Sequence, residues 1–115
     1  MVHCLIILFS SPVQHREAEY AVRKAKMLRG AGHTVSMFLL GDGVYSASKP
    51  PSLKGGADVV ADMAGLGDVG IVACSTCSAI RGVVTVISNA KIGGLEDIVQ
   101  EIEAADMIFN YTAEE

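Results

Sequence analysis

The sequence predicts a three-layer α/β/α sandwich, in which a mostly parallel sheet is covered by helices on both faces. Two observations support this prediction. Short apolar runs, each about the length of one strand, alternate along the 115 residues with segments whose apolar residues recur at helical spacing. Strands that alternate with helices form right-handed βαβ units, and such units build a parallel sheet. Continuous apolar strands are also typical of a sheet that is buried on both faces.

The first half of the chain contains two predicted strands and one long predicted helix. Residues 2–10 form a continuous apolar run and predict the first strand. From about residue 13 to residue 30 the pattern is helical, and two nearby glycines end it. Residues 33–40 predict the second strand, and a Gly-Asp-Gly turn ends it. Residues 44–47 then predict a helical turn, and residues 49–52 predict a loop. The apolar positions on the inner face of the helix are Ala18, Ala21, Val22, Ala25 and Leu28.

The middle of the chain continues the alternation. Residues 57–66 predict a short helix, and residues 69–73 predict the third strand. A helix is expected to begin directly after that strand, over residues 75–80. Residues 83–87 are ambiguous between a strand and a loop.

The last part of the chain predicts a short strand over residues 89–93, a helix that starts at Gly94, and a final strand over residues 107–111. The helix is strongly amphipathic, and its apolar side is expected to face the sheet. The residues predicted to face inward are Leu95, Ile98, Val99 and Ile102. Those predicted to face water are Glu96, Asp97, Glu101 and Glu103.

Composition indicates one domain, residues 1–115, that belongs to a larger assembly. Half of the residues are hydrophobic, 19% are charged, and the mean hydropathy is +0.40. Because a small monomer exposes much of its surface, this excess of apolar residues suggests burial against other subunits. No apolar run approaches the roughly 18–20 residues that a spanning helix needs. We therefore expect no membrane partner and a cytoplasmic location.

The charge balance argues against direct binding of nucleic acid. The formal net charge is −4 and the pI is about 5.3. The densest group of basic residues, within residues 23–29, alternates with alanines and is typical of a solvated helix face. With three cysteines, one of them inside the first predicted strand, a disulfide framework is not expected.

The most informative segment is the end of the third strand, where Cys74 stands at the predicted strand-to-helix junction. Helical spacing would align Cys74, Cys77 and Arg81 along one face. A thiol at a helix N-terminus meets unpaired N–H groups and the positive end of the helix dipole, and both favour the nucleophilic thiolate. Since carboxyl ends of parallel strands share one edge, Ser10, Ser11 and the turn at residues 41–45 are expected nearby.

Each candidate residue also has a purely structural interpretation. Cys74 could be a buried structural thiol, although its polar neighbours argue against that. Two roles remain open for Cys77, that of a resolving thiol and that of a packing residue. Arg81 either offsets anionic charge or caps the end of its helix. Asp42, between two glycines, could be a catalytic carboxylate or a turn former, and the turn former is expected.

Metal and cofactor sites are not expected. Cys74 and Cys77 supply at most two ligands, and neither a second Cys-x-x-Cys nor a histidine pair completes a metal shell. His3, His15 and His33 are isolated and are expected to be solvated or to act as caps. The loop after the first strand contains no glycine, so the dinucleotide-binding fingerprint is absent.

Taken together, several segments resemble the DsrE/DsrF/TusD-like sulfur-relay family, especially its YchN-type members. Residues 74–83 (CSTCSAIRGV) are similar to that family's cysteine segment, in which Cys-x-x-Cys precedes Arg-Gly. Residues 38–44 (FLLGDGV) resemble its second strand and loop. Residues 91–95 (KIGGL) and 105–109 (ADMIF) resemble its C-terminal portion. The likeness runs nearly from end to end of the chain.

This resemblance implies a parallel five-stranded fold and assembly into trimers or hexamers, of one chain or of related chains. It also implies that Cys74 receives and passes on sulfur as a persulfide, between donor and acceptor proteins of a relay. Such relays serve tRNA thiolation or sulfur oxidation, and no residue of this chain selects between them.

Three functions therefore remain open at this point. The first is an intracellular sulfur carrier or sulfurtransferase that uses Cys74, with Cys77 and Arg81 in supporting roles. The second is a dithiol redox module that cycles between two thiols and a disulfide. The third is a non-catalytic assembly protein whose thiols matter little.

Overall fold

A computed structural model describes residues 2–11, 16–50 and 55–112. The strands it describes are β1 (His3–Leu8), β2 (Thr34–Leu39), β3 (Gly70–Cys74), β4 (Ala90–Gly93) and β5 (Met107–Tyr111). The α-helices are α1 (Glu17–Gly30), α2 (Ala57–Ala64), α3 (Ser75–Ile80) and α4 (Leu95–Ala104). A 3₁₀ helix, Gly41–Ala47, follows β2.

The five strands form one all-parallel sheet in the order β4-β3-β2-β1-β5. The larger core lies between one sheet face and α1, α2 and the 3₁₀ helix. On the other face a small cluster of sheet residues meets α4. The predicted α/β sandwich with a parallel sheet and helices on both sides is therefore confirmed. The buried face of α1 is also as predicted, with Ala18, Ala21, Val22, Ala25 and Leu28 all buried.

Most element bounds differ from the predictions by one or two residues. The third strand extends through Cys74, one residue further than predicted. The ambiguous segment 83–87 is irregular, apart from a single antiparallel bridge between Ser48 and Val86. Within the described residues α1 begins at Glu17. Residues 13–15, which were predicted to be helical, lie outside the described residues, and so do residues 51–52 of the predicted loop.

The prediction for the amphipathic helix α4 is wrong in one respect. Its expected inward residues Leu95, Val99 and Ile102 are all exposed, and no residue of α4 is fully buried. Only Ile98 packs against the small sheet cluster, together with Ala105 just beyond the helix. The apolar stripe of α4 is wider than its contact with the sheet, because among the described residues no second helix packs on that face to cover the rest of the stripe.

Polar contacts fix the start of α4. The Asp97 carboxylate accepts a hydrogen bond from the Gly94 backbone N–H at 3.0 Å and another from the Lys91 ammonium at 3.3 Å. Gly93 makes room for this arrangement, because a Cβ there would lie 2.5 Å from a carboxylate oxygen of Asp97 and 2.7 Å from Val72. Asp97, predicted to face water, instead satisfies a free N–H at the helix N-terminus.

Polar contacts also fix the end of α4. The Nε2 atom of His3 lies 3.1 Å from a carboxylate oxygen of Glu101. The backbone N–H of His3 donates a hydrogen bond to the Asp106 carboxylate at 2.8 Å. His3, predicted to be solvated or a cap, thus links β1 to the end of α4. His33 accepts a hydrogen bond from the Val2 N–H at 3.2 Å, and His15 lies outside the described residues.

One glycine brings the 3₁₀ helix against the carboxyl edge of the sheet. Gly43 is buried, and a Cβ at this position would collide with the carbonyl oxygen of Leu8. Because only glycine permits this approach, the turn that carries Asp42 packs directly over the end of β1. Among the described residues, no helix is both long enough and apolar enough to cross a membrane.

Candidate functional site

Cys74 is at once the last residue of β3 and the N-cap of α3. Its backbone is extended, with φ −57° and ψ 126°, so the chain passes from strand to helix without an intervening loop. The side chain is half-buried and touches both cores. The thiol therefore lies at the carboxyl edge of the sheet, beside the free N–H groups of the first turn of α3.

The surroundings of Cys74 favour its thiolate. Burial raises the pKa of Cys74, but four other effects together outweigh burial and lower the pKa below its ordinary value. In order of size they are the backbone N–H of Cys77, the side chain of Cys77, the backbone N–H of Thr76 and the charge of Arg81. Hydrogen bonds to the sulfur thus lower the pKa of Cys74 more than the charge of Arg81 does.

Arg81 follows the last turn of α3 and makes two hydrogen bonds. Its Nε donates to Asp42 at 2.8 Å, and its Nη1 donates to the Cys77 carbonyl at 3.3 Å. The Asp42 contact raises the pKa of Arg81 further. The carbonyl contact places Arg81 as a cap at the end of α3, while its charge makes the smallest contribution to the pKa of Cys74.

Asp42 makes a contact that the sequence interpretation did not predict. It lies in the first turn of the 3₁₀ helix, as expected of a turn former, but it also holds Arg81 through an ion pair. The two residues are 39 positions apart, so no local pattern reveals the pair. The expectation that the turn at residues 41–45 lies near the cysteine segment agrees with this contact.

Arg81→Gln should slow the alkylation of Cys74 at neutral pH by a few-fold. Loss of the positive charge raises the pKa of Cys74, so the rate of reaction with iodoacetamide reaches its half-maximum at a higher pH. The rate is measured as a function of pH by mass spectrometry of the peptide that contains Cys74. Arg29→Gln is the matched control, since Arg29 also bonds an aspartate, Asp68, and a backbone carbonyl, away from Cys74. Identical profiles for Arg81→Gln and the unmodified protein would show that Arg81 is only a helix cap.

The other two cysteines differ in their surroundings. Cys77 is half-buried against the larger core, and its side chain is near enough to the Cys74 sulfur to help lower the pKa of Cys74. Cys4 is fully buried in β1, as predicted. All three are free thiols. The contact of Cys77 with Cys74 places two thiols together, while its packing against the core fits the other predicted role.

A cavity of about 390 Å³ opens beside Cys74, on the sheet face that α4 covers. Its apolar lining comes from β2, the residue after β2, and the first turn of α4. These apolar residues are Phe38, Leu40, Leu95 and Ile98, and we call the space the Cys74 cavity. The sequence interpretation did not anticipate it. Among the described residues, no group of three or more His, Cys, Asp or Glu side chains could hold a metal ion.

Comparison with known proteins gives a family and a fold. The model of the DsrE/DsrF-like family matches residues 3–111. The crystal structure of the ychN protein from E. coli superposes with a TM-score of 0.78 at 22% sequence identity, covering 96% of this chain and 100% of that chain. No curated protein sequence matches. At this identity the structural likeness supports the fold alone, and the family match covers every residue of the site described above.

Proposed function

The chain belongs to the DsrE/DsrF-like family, which is related to sulfur relay, and from this premise we propose that it carries sulfur as a persulfide on Cys74. The observation that supports this most directly is the setting of the Cys74 thiol. The thiol lies at the sheet edge with a lowered pKa, and it borders a cavity large enough for a small ligand. A nucleophilic thiol with an approach path is what acceptance of sulfur requires.

The proposed reaction is a transfer of one sulfur atom. The Cys74 thiolate attacks the terminal sulfur of a donor hydropersulfide, R–S–SH, so that a Cys74–S bond forms and the donor S–S bond breaks. The donor leaves as R–S⁻, and the protein holds Cys74–S–SH. An acceptor thiolate then attacks the outer sulfur in the same way and regenerates the Cys74 thiolate. The acceptor is another component of an intracellular relay, serving tRNA thiolation or sulfur oxidation, and R is the organic group of the donor.

Loading with a persulfide donor tests this proposal. After incubation and rapid alkylation, mass spectrometry of the intact protein and its peptides should find one added sulfur atom, on the peptide that contains Cys74. Addition of an acceptor thiol should then remove it. If no added sulfur is detected, or if it resides only on other peptides, the carrier function is wrong.

A dithiol redox module is a second candidate, and the nearness of the Cys77 side chain to the Cys74 sulfur is the observation that favours it. In such a module the two thiols would form a disulfide, and loss of either cysteine would abolish activity equally. In the carrier, Cys77 has a supporting role only. Comparison of the two single Cys→Ser variants therefore separates the two functions.

We also propose that the protein assembles through exposed apolar residues of α4 and β5. Val99 and Ile102 on α4 and Ile108 on β5 are each more than two-fifths exposed. Ile108 pairs in register with Leu5, so it lies on the sheet face that α4 covers. Together these three residues form the α4–β5 surface. Apolar residues grouped beside an edge strand favour burial against another subunit, of this chain or a related one.

Ile108→Asp should dissociate the assembly into smaller species at micromolar protein concentration. A carboxylate buried in an apolar interface lacks a counter-ion and loses its hydration. Sedimentation or light scattering measures the mass. Met27→Asp, which places the same charge on an exposed residue of α1, should leave the mass unchanged. If the unmodified protein is a monomer, or if both variants behave alike, the α4–β5 surface is not the interface.

A further inference from the structure

We infer that the sulfur compound which loads Cys74 carries an apolar, uncharged organic group, and that this group binds in the Cys74 cavity. The inference rests on the proposed function and adds the class of substrate to it. It is argued from the position, the lining and the charge of the cavity relative to the thiol.

The cavity has the volume and the lining of a small-molecule site. Phe38 is buried and lines the cavity, and so does Leu40, two residues further along the chain. Ile98 and Leu95 come from the first turn of α4, and Leu95 is 77% exposed, which places it at the mouth. The volume of about 390 Å³ is within the roughly 300–1,000 Å³ typical of sites for small ligands.

The lining offers an anionic ligand no counter-ion. None of the described residues that line the cavity is charged. Arg81 is not among them, and its guanidinium is already engaged by Asp42 and by the Cys77 carbonyl. A carboxylate or sulfonate beside Leu95 and Ile98 would lose hydration without gaining a counter-ion, whereas an alkyl or aryl group there would gain burial.

The thiol lies on the wall of this cavity, between its apolar and polar parts. Ser75 and Thr76 also line it, next to Cys74, so the polar groups are confined to the place where sulfur is exchanged. A compound R–S–SH with its group R against Leu95 and Ile98 would present its sulfur atoms to Cys74. Attack forms the bond from Cys74 to the terminal sulfur and breaks the S–S bond of the compound. R–S⁻ then leaves with the bonding electron pair, and the proton remains on the transferred sulfur.

The test compares two thiosulfonates that differ in the charge of the transferred group. The reagents are butyl methanethiosulfonate and 2-sulfonatoethyl methanethiosulfonate, and the rate at which each modifies Cys74 is measured in the Cys77→Ser variant. Each rate is then divided by the rate of the same reagent with free cysteine at the same pH. Both reagents form a mixed disulfide with Cys74 and release methanesulfinate. Since burial of each methylene favours the butyl group, we expect a normalised preference for butyl of about tenfold or more. Loading from benzyl hydropersulfide should exceed loading from glutathione hydropersulfide in the same direction.

Leu95→Asp places a carboxylate at the mouth of the cavity and should reduce the preference to near one. Val84→Asp is the matched control, because Val84 is 81% exposed and does not line the cavity, and it should retain the preference. If the protein that carries neither Leu95→Asp nor Val84→Asp reacts with both reagents at equal normalised rates, the inference is overturned. The carrier function is not affected by that result. If Cys74 reacts no faster than free cysteine with either reagent and accepts no sulfur, the carrier function itself fails.

Discussion

Cys74→Ser should abolish sulfur acceptance, with a loss of at least about a thousandfold in the rate of persulfide loading. A serine hydroxyl is not ionised at neutral pH, so the hydrogen bonds that lower the pKa of Cys74 have no nucleophile to stabilise. Loading is followed by mass spectrometry over time, at a fixed donor concentration and a fixed pH.

The other cysteines provide the controls for this result. Cys77→Ser should load at a rate within about tenfold of the unmodified protein, because it keeps the nucleophile, the backbone N–H groups and a side-chain hydroxyl that can still donate to the Cys74 sulfur. Cys4 is fully buried and should take up no sulfur in either variant. Sulfur found on Cys74→Ser at the original rate would show that Cys74 is not the acceptor. Equal loss in Cys74→Ser and Cys77→Ser would favour the dithiol module instead.

Phe38→Ala should lower the free energy of unfolding by about 3–5 kcal/mol, the largest effect on stability that we expect. Phe38 is 1% exposed and packs with Leu5, Ile7 and Val72 in the small core beneath α4. Its removal leaves a void that joins the Cys74 cavity, and the surrounding strands cannot move inward to fill it. Urea denaturation at fixed protein concentration measures the change, since assembly also contributes to stability.

Phe9→Ala is the matched control, because it makes the same substitution directly after β1, where the side chain is 41% exposed. We expect a loss of about 1 kcal/mol or less there. Equal losses at the two positions would contradict the packing described for the small core. A loss at Phe38 below about 1 kcal/mol would do the same.

The first three strands, and their succession along the chain, could be predicted because each produces a strong local pattern; their order in the sheet was not predicted. The runs that became β1, β2 and β3 are continuous and apolar, and helical segments separate them, so a parallel sheet follows. The start of α3 directly after the third strand also agrees with the prediction from the cysteine segment. These features depend on neighbours in the sequence, which is why sequence reasoning finds them.

Helix α4 shows where this reasoning stops. Its periodicity identifies an apolar stripe, and Ile98 does face the sheet. Periodicity does not say how much sheet surface is available to cover the stripe, and Leu95, Val99 and Ile102 remain exposed. An apolar residue on a helix can face a core, a ligand cavity or another subunit, and only the arrangement in space distinguishes these cases.

The sequence predicts the chemistry proposed for the site but not its surroundings. Cys74 at a strand-to-helix junction predicts a thiolate, and the hydrogen bonds to its sulfur lower its pKa in the same direction. The ion pair of Arg81 with Asp42 joins residues far apart in the chain. The Cys74 cavity arises where α4 crosses the sheet, so neither feature has a local signal. Cys77 keeps both of its predicted roles, since it contacts Cys74 and also packs against the core.

The two layers of this molecule differ in how firmly they are held. The layer of α1 and α2 shares a deep apolar core with the sheet, whereas α4 is attached by few buried groups and by polar contacts at its two ends, through Asp97 and Glu101. In a single subunit, α4 is therefore the layer expected to detach at the lower cost in free energy. It forms part of the wall of the Cys74 cavity, so a local opening there would leave the main core intact.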